Sequence, residues 1–167
     1  VTSTNLSTFN NKNTGTGKTV TVNSITLADG TNGGLAANYS ISTGQTTTAN
    51  VTAKALTVSG ITASNKVYDS TTNATTVLSF SGLIGSETIN NTNSSTFDNK
   101  NIGTGKTVTV NSLTLVDGSN GGLASNYSIS SGQTTTANVS ARPLTVSNIS
   151  ASNKSYDGTT AVTLDTS

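Results

Sequence analysis

The stretch KALTVSGITASNKVYD, from Lys54 to Asp69, returns as RPLTVSNISASNKSYD from Arg142 to Asp157, 88 residues further along the chain. The same displacement carries Phe9 to Phe97, Tyr39 to Tyr127, Leu56 to Leu144 and Tyr68 to Tyr156, so positions 1–79 match 89–167 without a gap. From Thr8 onward roughly two thirds or more of the paired positions are identical, and exchanges such as Ile25 for Leu113 are conservative. A register that never slips implies tandem duplication, and a period of this size suits one small β module rather than one coil of a solenoid.

Inside one period the apolar residues alternate, which is the signature of strands. Val20 and Val22 share a face, but Ile25 and Leu27 fall on the opposite parity, so a bulge is predicted at Asn23 and Ser24. Val108, Val110, Leu113 and Leu115 repeat the pattern, and Leu56 and Val58 change parity to Ile61 and Ala63 across Ser59 and Gly60. Tyr39 and Ile41 predict a short strand, Thr47 to Ala53 a longer one, and Val77, Leu78 and Phe80 another before the turn at Gly82 to Gly85. Asp29-Gly30, Asn32-Gly33, Asp117-Gly118, Asn120-Gly121 and Asp157-Gly158 are turn signals, because these residues tolerate positive φ. The segment GGLAAN leaves room for one helical turn. Seven or so short strands per period predict an all-β fold of tandem immunoglobulin-like β-sandwich modules, with β-grasp-like modules as the alternative.

Composition narrows the function. Ser, Thr and Asn make up about half of the 167 residues. Charged residues are 9% and the net charge is +1, too little to steer binding to nucleic acid or to an anionic membrane. The chain has no Cys, His, Met or Trp, which removes thiol chemistry, disulfides and imidazole catalysis. No apolar run reaches the ~20 residues that a membrane-spanning helix needs. A Cys-free, Ser/Thr/Asn-rich β sequence suits export in an unfolded form to an extracellular bacterial surface.

Several motifs resolve to structural readings. GTGKT, at Gly15 to Thr19 and Gly103 to Thr107, lacks the first glycine of a phosphate loop, since Lys12 and Lys100 stand in its place, and no helix follows. A hairpin turn is the better reading. The six aspartates are scattered and Glu87 is the only glutamate, so neither a calcium loop nor a catalytic carboxylate pair is indicated. No catalytic residue, metal ligand or cofactor is expected, and the chain reads as non-enzymatic. Ten N-x-[ST] sequons barely exceed the roughly seven or eight that this composition gives by chance. Lysine isopeptide crosslinks are expected to be absent. Tyr39 and Tyr127, each opening a strand after a glycine-rich turn, suggest a tyrosine corner with the ring inward and the hydroxyl bonded to upstream backbone. Tyr68 with Asp69, and Tyr156 with Asp157, predict a second corner held by ring burial and an Asp side-chain bond. Phe9 and Phe97 complete this set of structural residues, together with Pro143, the only proline, which replaces Ala55 and stiffens the start of a module.

The combination A-K-A-L-T-V, N-K-x-Y-D-[GS]-T-T, F-x-[ND]-K-N-x-G-T-G-K-T-V-T-V and N-Y-S-I resembles the YDG-type repeat of large bacterial surface proteins. It rests on Leu56, Val58, Asn65, Lys66, Tyr68, Asp69, Phe97, Lys100, Asn101, Gly103, Gly105, Lys106, Asn126 and Tyr127. Ser70 departs from the glycine of the name motif while Gly158 keeps it, which predicts a slightly different turn in the two copies. Filamentous-haemagglutinin-like and related secreted adhesins carry similar repeats as stalks, so the resemblance implies an extracellular scaffold of bacterial adhesion.

These readings divide the chain into 1–53, the C-terminal part of a preceding repeat; 54–141, one complete module; and 142–167, the N-terminal part of a following repeat. The expected partners are neighbouring repeats of the same chain. Sister chains joined by strand complementation, and host or biofilm glycans bound by an adhesive module, are the alternatives.

Overall fold

The computed structural model describes residues 1–165 and is built almost wholly of strands. The first three, β1 (Thr2–Phe9), β2 (Gly15–Ala28) and β3 (Thr46–Val51), form an antiparallel sheet in that order. Asn23 is the extra residue where β1 and β2 slip register, as the parity change predicts, and its side-chain amide donates to Thr8 Oγ1 at 2.9 Å. A single 3-10 turn, Ala36–Asn38, occupies the GGLAAN segment.

The complete module follows. Its strands are β4 (Lys54–Ala55), β5 (Thr57–Ala63), β6 (Lys66–Val67), β7 (Asn73–Ala74), β8 (Thr76–Ser81), β9 (Ile89–Phe97), β10 (Gly103–Asp117), β11 (Tyr127–Ser128) and β12 (Thr134–Ser140). The second 3-10 turn is Ala124–Asn126. β9, β10 and β12 are the 88-residue counterparts of β1, β2 and β3, with the same antiparallel order and the same bulge, now at Asn111. Ser59 supplies a third predicted bulge, where β5 pairs with β8.

Two short strands turn this sheet into a curled one. β6 adds to β12 in parallel at one edge, and β7 adds to β9 at the other, giving the order β6-β12-β10-β9-β7. β6 continues from β5 after two residues, and β7 continues into β8 after one. Because β5 and β8 pair with each other, the hydrogen bonding runs round a closed circuit. Ser64 N–H donates to Thr75 O at 3.0 Å and Phe97 N–H to Thr72 O at 2.8 Å, carrying the pairing across the gaps. Closure leaves β9 and β12 without an open edge, whereas their counterparts β1 and β3 each keep one in the three-stranded sheet of the first copy.

Inside the curl lie Phe97, Val108, Ala137 and Val139, with Ala63, Tyr68 and Ala74 packed against them. Val108 and Val110 have no exposed surface. Leu56, Leu78 and Tyr127 are also buried, and Thr76 Oγ1 meets Ser95 Oγ at 2.7 Å where β8 passes β9, so a polar pair joins this small core. The first copy shows what closure contributes: Phe9 is 39% exposed against 3% for Phe97, and Tyr39 60% against 6% for Tyr127. The predicted strand at Tyr39 and Ile41 does not form. Its counterpart β11 exists because β4 pairs with it, and residues 1–53 have no such partner segment.

After Ser140 the chain repeats the beginning of the module. β13 (Ser150–Ala151) pairs with β14 (Leu164–Asp165) in the register of residues 62–63 with 76–77. No helix among the described residues is long and apolar enough to cross a membrane.

Candidate functional site

Two constructions of side chains distinguish the complete module: a clasp that closes it, and a joint that ties it to the preceding copy.

The clasp is the loop 66–74, which crosses from one edge of the curled sheet to the other. At its centre is Lys66. Its ammonium donates to Asp69 Oδ1 at 2.8 Å, Thr71 O at 2.9 Å, Thr71 Oγ1 at 3.1 Å and Asn73 O at 3.0 Å, and lies 5.5 Å from the centre of the Phe97 ring. Asp69 Oδ1 also accepts from Thr71 N–H and Thr71 Oγ1–H, both at 2.9 Å, making an Asx turn. Tyr68 packs its ring on the core and donates its N–H to Ser140 O at 2.9 Å. Asn65 Oδ1 accepts from Asn138 N–H at 2.7 Å and extends the parallel seam. Tyr68 and Asp69 stand out in the sequence as a predicted corner, whereas Lys66 has no role that the sequence predicts. The spacing N-K-x-Y-D, retained at Lys154 and Asp157, was the available signal.

The predicted difference between the two turns is absent. Ser70 sits at φ 68° and Gly158 at φ 74°, with equivalent Lys, Asp and Thr bonds around both. The hydrogen bonds of the Asx turn hold Ser70 in a left-handed conformation that favours glycine. Ser70→Gly is therefore expected to stabilise the module by about 0.5–1 kcal/mol, read as a higher denaturant midpoint.

The Lys66 hydrogen bond, followed by those from Thr71, lowers the Asp69 carboxyl from its ordinary 3.8 to about 2. A depressed carboxylate pKa favours the folded state above the unfolded value, and that contribution fades as pH falls from 3.8 through about 2. NMR titration of the Asp69 side chain should give a midpoint near the lower figure, and a midpoint at the ordinary value would mean that the clasp is open in solution.

The joint lies at the module's other end. Residues 52–53 are the only unpaired positions between β3 and β4. Beside them the β1–β2 loop of the first copy docks on the module: Lys12 Nζ meets Glu87 Oε1 at 2.6 Å, and Thr14 N–H donates to Asn126 Oδ1 at 2.9 Å. Thr14 Oγ1–H donates to Ser125 O at 2.9 Å, and Asn126 Nδ2 to Asn13 Oδ1 at 3.1 Å. Glu87 Oε2 accepts from the Tyr127 hydroxyl at 2.6 Å, and that hydroxyl accepts from Ile84 N–H at 3.1 Å. Lys12, then Tyr127, hold the Glu87 carboxyl below the usual range, while Glu87 pushes the Tyr127 phenol up. The Tyr127 ring is buried, and its hydroxyl bonds Glu87 and the backbone of Ile84, 43 residues upstream, where a tyrosine corner bonds backbone only a few residues away, so the hydroxyl serves the joint. Glu87, the chain's single glutamate, carries no sequence pattern that marks it as a joint residue.

The remaining predicted residues fall outside these contacts. Tyr39 and Phe9 lie on the open sheet, where Phe9 has Lys18 Nζ 5.9 Å from its ring centre. Tyr156 is 98% exposed, although Asp157 repeats the turn of Asp69. Pro143 is exposed and unpaired. In the module the bond at this level comes from Leu56 N–H to Ser128 O at 2.8 Å, so a proline one residue earlier does not remove that donor. The GTGKT lysines turn back into their own hairpins: Lys18 reaches Asn11 Oδ1 at 2.7 Å, and Lys106 reaches Asn99 Oδ1 at 2.6 Å and Asp98 Oδ1 at 2.9 Å.

Against known proteins, a family described as the YDG domain matches residues 52–137. No curated protein and no solved structure matches the chain.

Proposed function

The chain belongs to the YDG domain family, and from that membership and the joint just described we propose that it is a non-enzymatic length of stalk from an extracellular bacterial adhesin. The joint carries this reading. A two-residue connection flanked by an ion pair and three interlocking hydrogen bonds restricts how one repeat turns against the next. Repetition at 88 residues offers part of this contact again in a longer array, because Lys100 and Asn101 repeat Lys12 and Asn13, although Ile102 stands where Thr14 does and has no hydroxyl to donate. Length and stiffness are then the product, and neighbouring repeats are the partners. The module is proposed to be closer to a β-grasp-like curled sheet than to an immunoglobulin-like sandwich. Its successive strand courses pair with one another and are closed by one parallel seam, whereas a sandwich divides its strands by Greek-key crossings.

Small-angle scattering on proteins of increasing repeat number tests the stalk. The maximum dimension should rise in proportion to the number of repeats, by about 40–50 Å each if they stack along β10 at ~3.3 Å per residue. Growth that falls off toward the square root of repeat number would mean freely hinged beads and no stalk.

A further inference from the structure

Among the described residues only two strand pairings are parallel, and both join the entering arm of the complete module to its leaving arm. Lys54 and Ala55 lie beside Tyr127 and Ser128, and Lys66 and Val67 lie beside Val139 and Ser140. Partners are 73 residues apart at both seams, and the bond from Asn138 N–H to Asn65 Oδ1 keeps the same separation. Residues 54–68 therefore run alongside 127–140 in one direction and one register. Leu56 N–H donates to Ser128 O at 2.8 Å where the chain enters, and Tyr68 N–H donates to Ser140 O at 2.9 Å where it leaves. The antiparallel hairpin of β9 and β10 lies wholly between the two arms in sequence.

We propose that these two seams form a tensile clamp, which resists stretching along the chain far better than it resists peeling. Tension draws the entering arm back through Lys54 and the leaving arm forward through Ser140. Because the two arms point the same way, that load slides one past the other and falls on all the seam bonds together. An antiparallel hairpin pulled from its open end gives way one rung at a time instead. Side chains also oppose the slide, since a slip of one residue turns every side chain of the arm to the opposite face. Such a slip would draw buried Leu56 and the Tyr68 ring out of the core, and Lys66 away from Asp69, Thr71 and Asn73. The use of the clamp rests on the stalk reading, in which each module transmits load to the next, but the clamp itself belongs to the single module.

Optical tweezers on the 167-residue chain test the clamp along two axes. The chain has no cysteine, so Ala53→Cys with Arg142→Cys places handles just outside both seams, and Val67→Cys with Arg142→Cys places them together at one end of the second seam. All three positions are exposed. Forced unfolding follows the unfolding rate rather than equilibrium stability, so at one loading rate the first pair should rupture at about twice the force of the second or more, although both open the same module. Released lengths of about 300 Å for the first pair and about 250 Å for the second, at ~3.4 Å per residue, identify the event. Asn65→Ala removes a seam bond that stretching loads from the start but that peeling from Val67 reaches late. It should lower the first force and leave the second unchanged. Equal forces along the two axes, or an equal fall in both with Asn65→Ala, would overturn the clamp. Neither result bears on the scattering series, which reads the stalk from repeat number and not from force.

Discussion

Phe97→Ala is expected to cost about 3–5 kcal/mol, and the identical change 88 residues earlier, Phe9→Ala, only a small fraction of that. Phe97 is 3% exposed at the centre of the curled sheet, and its truncation leaves a cavity beneath Val108, Ala137 and Val139. It also removes the ring under the Lys66 ammonium. A domain of this size is stable by roughly 5–15 kcal/mol, so the loss is a large fraction of it. Phe9 occupies the same place in the repeat but is 39% exposed, because no closing segment covers it. Urea denaturation of the two variants makes the comparison. Equal losses would mean that both sheets are closed in solution, and no loss in either would mean that the curl does not form.

Glu87→Lys should uncouple the first sheet from the module without unfolding the module. Glu87 is where the joint converges: one carboxylate oxygen takes Lys12, the other takes Tyr127. Charge reversal sets a second ammonium against that of Lys12 and leaves the Tyr127 hydroxyl to its bond from Ile84 N–H. Residues 52–53 are then the only short tether, supported by Thr14 and Asn126. Backbone relaxation by NMR should give one tumbling time for residues 2–51 and 54–140 in the unmodified chain and two in the variant, with chemical shifts of the buried Val108 and Val110 unchanged. A single shared time in the variant would show that Glu87 does not hold the joint.

Much of the fold was legible in the sequence because alternation writes faces into strands. The parity changes at Asn23, Asn111 and Ser59 located three bulges, and Asn32 and Asn120, both at φ 56°, confirmed two of the turn signals. Closure was not legible. β6 and β7 are two residues each, too short for any periodicity, and their partners are distant in the chain, Val139 for Lys66 and Thr96 for Asn73. Pattern reading therefore saw strands of ordinary modules but could not choose which edges met. The clasp was half visible: Tyr68 and Asp69 stood out by repetition, whereas the lysine that holds them looked like any solvated lysine. The joint was invisible for a different reason. Lys12, Asn13 and Thr14 belong to one copy and Glu87, Asn126 and Tyr127 to the next, and only the folded chain sets them side by side.

The central claim is that successive repeats meet at a fixed angle, and one distance measures it. The chain contains no cysteine, so Thr19→Cys and Thr107→Cys place two unique spin labels at equivalent exposed positions of adjacent copies. Pulsed electron resonance should return a single narrow distance distribution between them. A broad distribution spanning the reach of the residue 52–53 tether would contradict a stiff joint, and with it the stalk.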